Sequence, residues 1–237
     1  MTSAFPQPPK FVLLTGPALS REAGFAPFDA AGLPDGVRLE DVLTPDGFAR
    51  DPELVRRFYN EKRRQLLNEV RPTVAHDGLA ALDIARRGEV LIVTRNIDDL
   101  HERAGAEAVV HTHGDLLKAR CAICTKVSDR YDDIATDSAC PICGNAGYLR
   151  PHVVWVVEPP LRMEAVYQAA AECELFAVIG MSAANQPVAG LLADAKRRGA
   201  RTLEFNVEPS PASAEFDESH IGKLTDTVPD LVKRLIV

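Results

Sequence analysis

Four cysteines have the spacing of metal ligands. Cys121 and Cys124 form one Cys-x2-Cys pair, Cys140 and Cys143 form a second, and residues 125–139 separate the two. Two such pairs can close a tetrahedral thiolate site. Because four protein thiolates leave no position for a reactive water molecule, we predict a structural zinc site. A redox-active pair, or two unrelated pairs, are the alternative interpretations.

A second set of candidate residues follows the predicted strands. Apolar runs that begin near Phe11, Glu89, Leu175 and Thr202 alternate with helical patterns of ten or more residues. Such alternation is typical of βαβ units and a parallel sheet, which binds ligands at the carboxyl ends of its strands. We therefore predict an α/β fold, a Rossmann-like parallel sheet with helices on both faces. The small or polar residues at those strand ends are Thr15-Gly16, residues 94–98, Gly180 to Ser182, and Asn206.

Two further segments interrupt this alternation. Residues 53–70 have helical spacing with many charges, which predicts an amphipathic helix with a strongly polar face. Between residues 115 and 150 the periodicity fades and the cysteines cluster, which predicts an inserted module held by metal rather than by an apolar core. The predicted division is a discontinuous Rossmann-like domain (10–29, 72–114 and 151–237), a helical small-domain part (30–71) and a zinc module (115–150).

Composition narrows the class of protein. The chain has 237 residues, is 46% hydrophobic and carries a net charge of −7, which disfavours a general nucleic-acid binder. It has neither an apolar run of about 18 residues nor a secretory signal pattern. Paired cysteines suggest metal ligation in a reducing compartment. We expect a cytoplasmic protein without nucleic-acid or membrane partners.

At several places, in order along almost the whole chain, the residues resemble the sirtuins, the NAD-dependent protein lysine deacylases, and their bacterial class III branch in particular. The matching segments are Tyr59-Asn60 with residues 63–66, residues 94–105 (TRNIDDLHERAG), His113-Gly114, the two cysteine pairs, residues 149–155 (LRPHVVW), Gly180, Ser182, Asn206 and residues 208–210.

The resemblance implies a reaction and the residues that perform it. NAD would be the cofactor and an acylated lysine of a protein the substrate, with the acyl group passing to ADP-ribose as nicotinamide leaves. His113 would be the general base toward the ribose hydroxyls, and Asn96 and Asp98 would line the nicotinamide-ribose pocket. Implied cofactor contacts are Gly16, Ser20, Phe28, Asp29, Arg95, Gly180, Ser182, Asn206 and Glu208. Implied substrate contacts are Tyr59, Lys62, Trp155, Val156 and Val157.

The loop after the first strand departs from the family pattern. Where the family has Gly-Ala-Gly-x-Ser, this chain has Gly16-Pro17-Ala18-Leu19-Ser20. Pro17 lacks a main-chain donor for a diphosphate, and Ala18 adds a methyl group. If Ala18 adopts a positive φ, we expect a strain of about 1 kcal/mol.

Charges also change beside the expected cofactor. Asp29 stands where the family has arginine, and Arg95 stands where it has glutamine. Reversing a charge near a diphosphate weakens binding, by several kcal/mol at an effective dielectric constant of about 20. One hypothesis is that Arg95 pairs with Asp29 or takes over the diphosphate charge. The other is that the pocket no longer uses NAD.

The residues expected to contact the substrate also differ from the family pattern. Lys62 replaces the arginine of the class III Tyr-x-x-Arg motif, and lysine lacks the bidentate fork that holds a carboxylate. Val156-Val157 replaces Phe-Gly, and Met181 stands between Gly180 and Ser182.

These patterns leave three hypotheses open. The first is a deacylase with weakened or altered activity. The alternative is a catalytically impaired relative that binds a different ligand or a protein partner. The third is an interaction protein that uses its zinc module.

Overall fold

The computed structural model describes residues 7–25, 28, 33 and 36–236. In chain order its strands are β1 (Phe11–Thr15), β2 (Val90–Thr94), β3 (Val109–His111), β4 (Gly114–Cys121), β5 (Val127–Asp129), β6 (Leu149–Val153), β7 (Leu175–Ile179), β8 (Arg201–Asn206) and β9 (Glu218–Ile221). Six of them form a parallel sheet in the order β3-β2-β1-β7-β8-β9. The other three form an antiparallel sheet in the order β5-β4-β6. The prediction of a parallel α/β sheet is confirmed.

The order of the parallel strands reverses between β1 and β7. From β1 the chain adds β2 and β3 on one side, and it later adds β7, β8 and β9 on the other. A crevice opens at the carboxyl ends of the strands at such a reversal. The loops after β1 and β7 meet there, and the Gly16 N–H donates to the Ile179 carbonyl at 2.9 Å.

Helices cover both faces of the parallel sheet. The helices of the described residues are α1 (Pro17–Glu22), α2 (Leu39–Val42), α3 (Pro45–Arg50), α4 (Pro52–Asn68), α5 (Val74–Ala85), α6 (Leu100–Arg103), α7 (Met163–Glu172), α8 (Val188–Arg197) and α9 (Leu224–Ile236), with a 3-10 turn at Ser213–Glu215. Leu13 of β1 belongs to the core shared with α5 and α9, whereas Val12 and Leu14 belong to the core shared with α7 and α8. Because both sides of each strand are covered, β2 and β7 are buried along their whole length.

Helix α4 begins at a strong start signal. The Asp51 carboxylate accepts a hydrogen bond from the Leu54 N–H at 2.9 Å, and Pro52 occupies the first turn. Val55 and Phe58 pack in a third core, which also contains Trp155. Among the described helices, none combines the length and apolarity that a bilayer crossing requires.

The strongly polar face predicted for α4 is present, but it is only partly exposed. Arg63 is completely buried and donates to the Leu116 carbonyl at 3.0 Å and to the Asn60 side chain at 2.7 Å. Asn60 in turn exchanges two hydrogen bonds with the main chain of Ile134. Arg56 donates to the carbonyl of Leu149 at 3.1 Å. These side chains fix α4 to the cysteine-bearing segment, so they serve as an interface and not as a solvated surface.

Strand β9 is an element that the sequence analysis did not predict. Glu218, Ser219 and His220 are polar, and none of the strand's four residues is fully buried. An edge strand pairs on one side only and lacks a continuous apolar run. It is held by pairing with β8 and by His220, whose ring stacks on Phe205 at 4.6 Å.

Two histidines lie buried side by side beneath the crevice. The rings of His76 and His101 are 5.2 Å apart, and His101 Nε2 is 2.9 Å from the Thr15 hydroxyl. Burial lowers the pKa of His76 to about 4 and holds the pKa of His101 well below its usual value. Both are structural and neutral at pH 7.

Acid should therefore destabilise the fold before the carboxylates titrate. The unfolded chain protonates His76 near pH 6.5 and the folded chain only near pH 4. Unfolding thus takes up a proton in that window, and the free energy of unfolding falls as the pH falls. From pH 7 to pH 5 we expect a loss of about 2 kcal/mol from this residue. Urea denaturation of the wild type and of His76→Gln measures it, and equal pH dependence in both would contradict the assignment.

Candidate functional site

Two adjoining cavities lie at the carboxyl ends of the parallel strands. The inner cavity, of about 460 Å³, is lined by Pro17, Ala18, Ser20, Arg21, Phe28, Arg95, Asn96, Ile97, Asp98, His113, Gly180, Met181, Ser182, Asn185 and Asn206. The outer cavity, of about 780 Å³, is lined by Ala18, Arg21, Glu22, Ser182, Asn206, Val207, Glu208, Pro209, Ser210, Pro211, Lys223 and Thr225. Both contain residues from the loops after β1 and β7. The crevice at the strand reversal is therefore a cleft with two compartments.

The loop after β1 is a helix start and is not strained. Pro17 is the first residue of α1, where its fixed φ suits the helix and an N–H has no partner within the helix. Ala18 is not among the residues with positive φ, so the strain considered from sequence does not arise. Its N–H donates to the Gly180 carbonyl at 3.0 Å. This N–H is therefore not available to a ligand.

Asn96 and Asp98 lie in the inner cavity and help to hold the crevice together. The Asn96 amide donates to the Gly16 carbonyl at 3.1 Å, and the Ser20 hydroxyl donates to the Asp98 carboxylate at 2.6 Å. Burial raises the pKa of Asp98, and the hydrogen bonds from Ser20 and from the Leu100 N–H oppose that rise. The structure thus brings together the catalytic set expected from sequence.

His113 lies between β3 and β4 in a frame that requires the glycine after it. Gly114 has φ +84°, and a Cβ on it would lie 2.0 Å from the His152 carbonyl oxygen. The strand β6 passes too close for any side chain. Burial, and then the nearby Arg95 guanidinium, lower the pKa of His113 to about 4. The imidazole is therefore neutral at pH 7.

One hydroxyl fixes the proton of that imidazole. The Thr112 hydroxyl donates its hydrogen to the Thr94 carbonyl at 3.0 Å and lies 2.9 Å from His113 Nδ1. Because the hydroxyl has a single hydrogen, it can only accept from His113. While the hydroxyl donates to Thr94, Nδ1 carries the proton and Nε2 carries the free lone pair; the other tautomer would require the hydroxyl to turn from Thr94 to His113. Sequence reasoning missed Thr112.

Arg95 is a half-buried cation beside His113. Its Nε atom is buried and has no hydrogen-bond partner among the described residues, and burial lowers the pKa of the guanidinium. Asp29 lies outside the described residues, so an Asp29–Arg95 pair stays a prediction. A buried, unpaired donor in a cavity is suited to an anionic or hydroxyl ligand.

The expected substrate residues fall into a buried pair and an exposed pair. Trp155 and Tyr59 are buried, and the indole N–H donates to the Tyr59 hydroxyl at 3.0 Å. Val156 and Val157 are 59% and 86% exposed, and Val157 has φ +72°, a rare conformation for a β-branched residue. Lys62 is half-buried on α4.

A half-buried ion pair supports this segment. The Arg150 guanidinium lies 3.5 Å from the Trp155 ring centre and binds both oxygens of Glu158, at 2.8 and 2.9 Å. The Glu158 carboxylate also accepts from the Trp155 N–H at 2.8 Å. Residues 155–158 thus form a tight turn, held at its base by Arg150, with the two valines at its exposed tip.

The remaining expected contacts in the described residues lie around the two cavities, except Gly16, which lines neither. Ser182 and Asn206 line both, Glu208 lines the outer one, and Gly180 and Phe28 line the inner one. Sequence reasoning missed Arg21, Glu22, Asn185 and Lys223. Arg21 and Glu22 carry no sequence signal, because a charged residue on a short helix is usually only a solvated surface residue.

The four cysteines fit a structural zinc ion. Their Sγ atoms lie within 4.8 Å of one another, and the Cys121–Cys143 and Cys124–Cys140 pairs are each 3.8 Å apart. A tetrahedron with Zn–S bonds of about 2.3 Å has S···S edges of about 3.8 Å. The donor set is thus already arranged for the ion that the spacing predicted.

Both cysteine turns have the same main-chain form. The Thr125 N–H donates to the Cys121 carbonyl at 3.0 Å, and the Gly144 N–H donates to the Cys140 carbonyl at 2.9 Å. Thr125 and Gly144 both have positive φ, at 59° and 74°. The apolar cluster around the cysteines is small, and two of its five buried members, Cys121 and Cys140, are ligands. So small an apolar cluster favours a metal ion as the group that holds this segment together.

Comparisons with known proteins find similar sequences and a similar fold. The Sir2 family model matches residues 16–187. A protein of Vibrio parahaemolyticus named NAD-dependent protein deacylase is 45% identical over 227 residues, 95% of this chain and 94% of the relative. One of the same name from Escherichia coli O6:H1 is 46% identical over 230 residues, 96% of this chain and 84% of the relative. A solved Sir2 homologue in complex with NAD has a TM-score of 0.85 at 32% identity, covering 95% of this chain and 89% of that chain.

Removal of zinc should unfold the cysteine-bearing segment. Cys143→Ala should lower the zinc content of the purified protein at least about tenfold, since a tetrahedral site loses a quarter of its ligands. Amide exchange should then rise in β4 to β6 and in the part of α4 that contacts them. Cys173→Ala is the matched control, because Cys173 lies in the core near α7, outside the cysteine cluster. Unchanged zinc content in Cys143→Ala would contradict the site.

Proposed function

This chain belongs to the Sir2 family, and we propose that it is an NAD-dependent protein lysine deacylase. The acyl group of a lysine would pass to ADP-ribose, with release of nicotinamide. The observation that carries the proposal is the neutral, oriented imidazole of His113 in one cavity with Asn96 and Asp98. Curated relatives that match nearly the whole chain carry the name of this activity.

The shape and donors of the cleft fit a dinucleotide. A molecule with two nucleosides needs two compartments, and the inner and outer cavities share a wall. We infer that Asn206 and Glu208 contact the adenosine ribose, because amide and carboxylate groups pair well with hydroxyls. Asn96, Asp98 and Ser20 would surround the nicotinamide ribose.

His113 would act as a base through Nε2. When bound, NAD supplies an electrophilic ribose carbon and a nicotinamide leaving group. Thr112 holds the proton on Nδ1 and leaves Nε2 to accept a proton from a ribose hydroxyl. Burial keeps the imidazole unprotonated, so the base needs no prior deprotonation at pH 7.

We infer that the acyl-lysine peptide binds beside the turn of residues 155–158. Val156 and Val157 expose their side chains there, and because the Val156 N–H donates to the Leu43 carbonyl at 2.8 Å, Val157 at the tip is the residue that would meet an extended peptide strand. Trp155 and Tyr59 form the buried floor, and the Arg150–Glu158 pair fixes the turn. Positioning of the peptide would thus depend on a rigid tip.

A second candidate function is a ligand-binding protein without turnover. Pro17 has no N–H, and the N–H of Ala18 is bonded to Gly180, so the loop after β1 has few donors for a diphosphate. This favours weaker NAD binding than in relatives with the glycine-rich loop. Saturable NAD binding without nicotinamide release would support this candidate over the deacylase.

Substitution of the base tests the proposal directly. With NAD and an acyl-lysine peptide, the wild type should release nicotinamide, and His113→Ala should reduce kcat at least about 100-fold while binding ADP-ribose normally. Activity should stay constant from pH 7 to pH 6 and fall only as the pH approaches about 4, where His113 protonates. His220→Ala, on the far edge strand, is the control histidine. Wild-type protein that turns over no acyl peptide would refute the deacylase.

The Thr112 hydroxyl should set the tautomer of the base. Thr112→Val keeps the shape of the side chain and removes the hydrogen bond, so we expect kcat/KM to fall about fivefold, which corresponds to one hydrogen bond of about 1 kcal/mol. Thr112→Ser restores the hydroxyl and should restore the rate. Nitrogen-15 NMR of the imidazole reports the tautomer independently. Persistence of a protonated Nδ1 in Thr112→Val would show that another group controls it.

A further inference from the structure

The two cavities meet at a short wall. Ala18, Arg21, Ser182 and Asn206 line both of them. If a dinucleotide occupies the cleft, as the proposed function requires, its diphosphate must cross this wall, since the diphosphate joins the two nucleosides. Two negative charges would then lie at the junction, and the protein must supply donors or cations there.

The main chain of the neighbouring loop supplies none. The Gly16 N–H donates to Ile179 at 2.9 Å, the Ala18 N–H donates to Gly180 at 3.0 Å, and the Leu19 N–H donates to Gly16 at 3.1 Å. Pro17 between them has no N–H. Every main-chain N–H group of residues 16–19 is therefore already hydrogen-bonded within the protein.

The first N–H groups of α9, the nearest long helix, are also hydrogen-bonded already. Glu22 places one carboxylate oxygen 2.7 Å from the Leu224 N–H and the other 2.9 Å from the Thr225 N–H. The amino end of α9, which borders the outer cavity, thus already holds an anion of the protein. Neither the loop after β1 nor the amino end of α9 offers a free main-chain donor at the junction, so a side-chain cation there would supply the missing charge.

Arg21 is the side chain in the right place. It is exposed, and it has no carboxylate partner among the described residues, because the adjacent Glu22 is directed at α9. Of the other cations at the cleft, Arg95 lines only the inner cavity and Lys223 only the outer one. A guanidinium binds phosphate oxygens in bidentate fashion, which suits a diphosphate at the wall.

We propose that Arg21 is the cation that holds the diphosphate of the bound dinucleotide in this chain. The Ser182 hydroxyl accepts from the Ala184 N–H at 3.2 Å, which leaves its own hydrogen to donate at the same wall. A side chain of α1 would thus recognise the diphosphate in this chain, in place of the main chain of the glycine-rich loop of the family.

Calorimetry on the zinc-loaded full chain tests this assignment. ADP-ribose carries the diphosphate, and adenosine does not. Arg21→Ala should raise the Kd for ADP-ribose about 10- to 100-fold, the range for a lost charge-assisted hydrogen bond, and leave the Kd for adenosine within about twofold. Arg21→Lys should give an intermediate value, because it keeps the charge and loses the fork. Arg57→Ala removes an equal charge from the exposed surface of α4 and should change neither.

The outcomes separate this proposal from the proposed function. If Arg21→Ala binds ADP-ribose as the wild type does, or loses ADP-ribose and adenosine equally, the role of Arg21 is refuted while turnover can stand. If the selective loss is seen but the wild type releases no nicotinamide from NAD, the diphosphate role stands and the deacylase fails. A wild type that binds no ADP-ribose refutes both.

Discussion

The close approach of the loops after β1 and β7 is the constraint on which the rest of the site depends. The two strands are neighbours at the reversal of the sheet, and three hydrogen bonds join or tighten their loops within residues 16–19. Gly180 is required there, because it has φ +73° and a Cβ would lie 3.0 Å from the Leu19 nitrogen. Gly16 is equally constrained, since a Cβ would lie 2.4 Å from the Met181 side chain. This packing opens the cleft and fixes its floor.

The same packing determines how the cleft can bind a ligand. A main-chain N–H that closes a loop is not available to an anion. Side chains must therefore supply the hydrogen bonds and charge that a bound ligand needs. Asn96, Ser20 and Asp98 are themselves bonded across the crevice, which holds them in place. His113 is kept neutral by burial and by the Arg95 charge, and Thr112 directs its free lone pair. Rigidity and reactivity therefore come from one set of short contacts.

The zinc segment is connected to this site through α4. Arg56, Asn60 and Arg63 bond the helix to main-chain groups of that segment, and the adjacent apolar face of the helix packs in the core that holds Trp155. Buried arginines bonded to carbonyls are costly to leave unpaired. Loss of the metal would release those carbonyls and loosen the floor of the expected peptide site. A structural ion can thus influence catalysis without touching the reacting atoms.

The sequence by itself determined the features that depend on local order along the chain. Apolar runs and helical spacing predicted the parallel sheet and most helices, cysteine spacing predicted the zinc ligands, and the matching segments indicated the family. It did not reveal that the polar face of α4 is an interface, that β9 completes the sheet, that Thr112 orients His113, or that Arg21 lies where the cavities meet. Those facts depend on which side chains from distant elements come within a few ångströms of each other. The packing of the strands and helices determines these contacts. A residue's type and its neighbours in sequence do not indicate them.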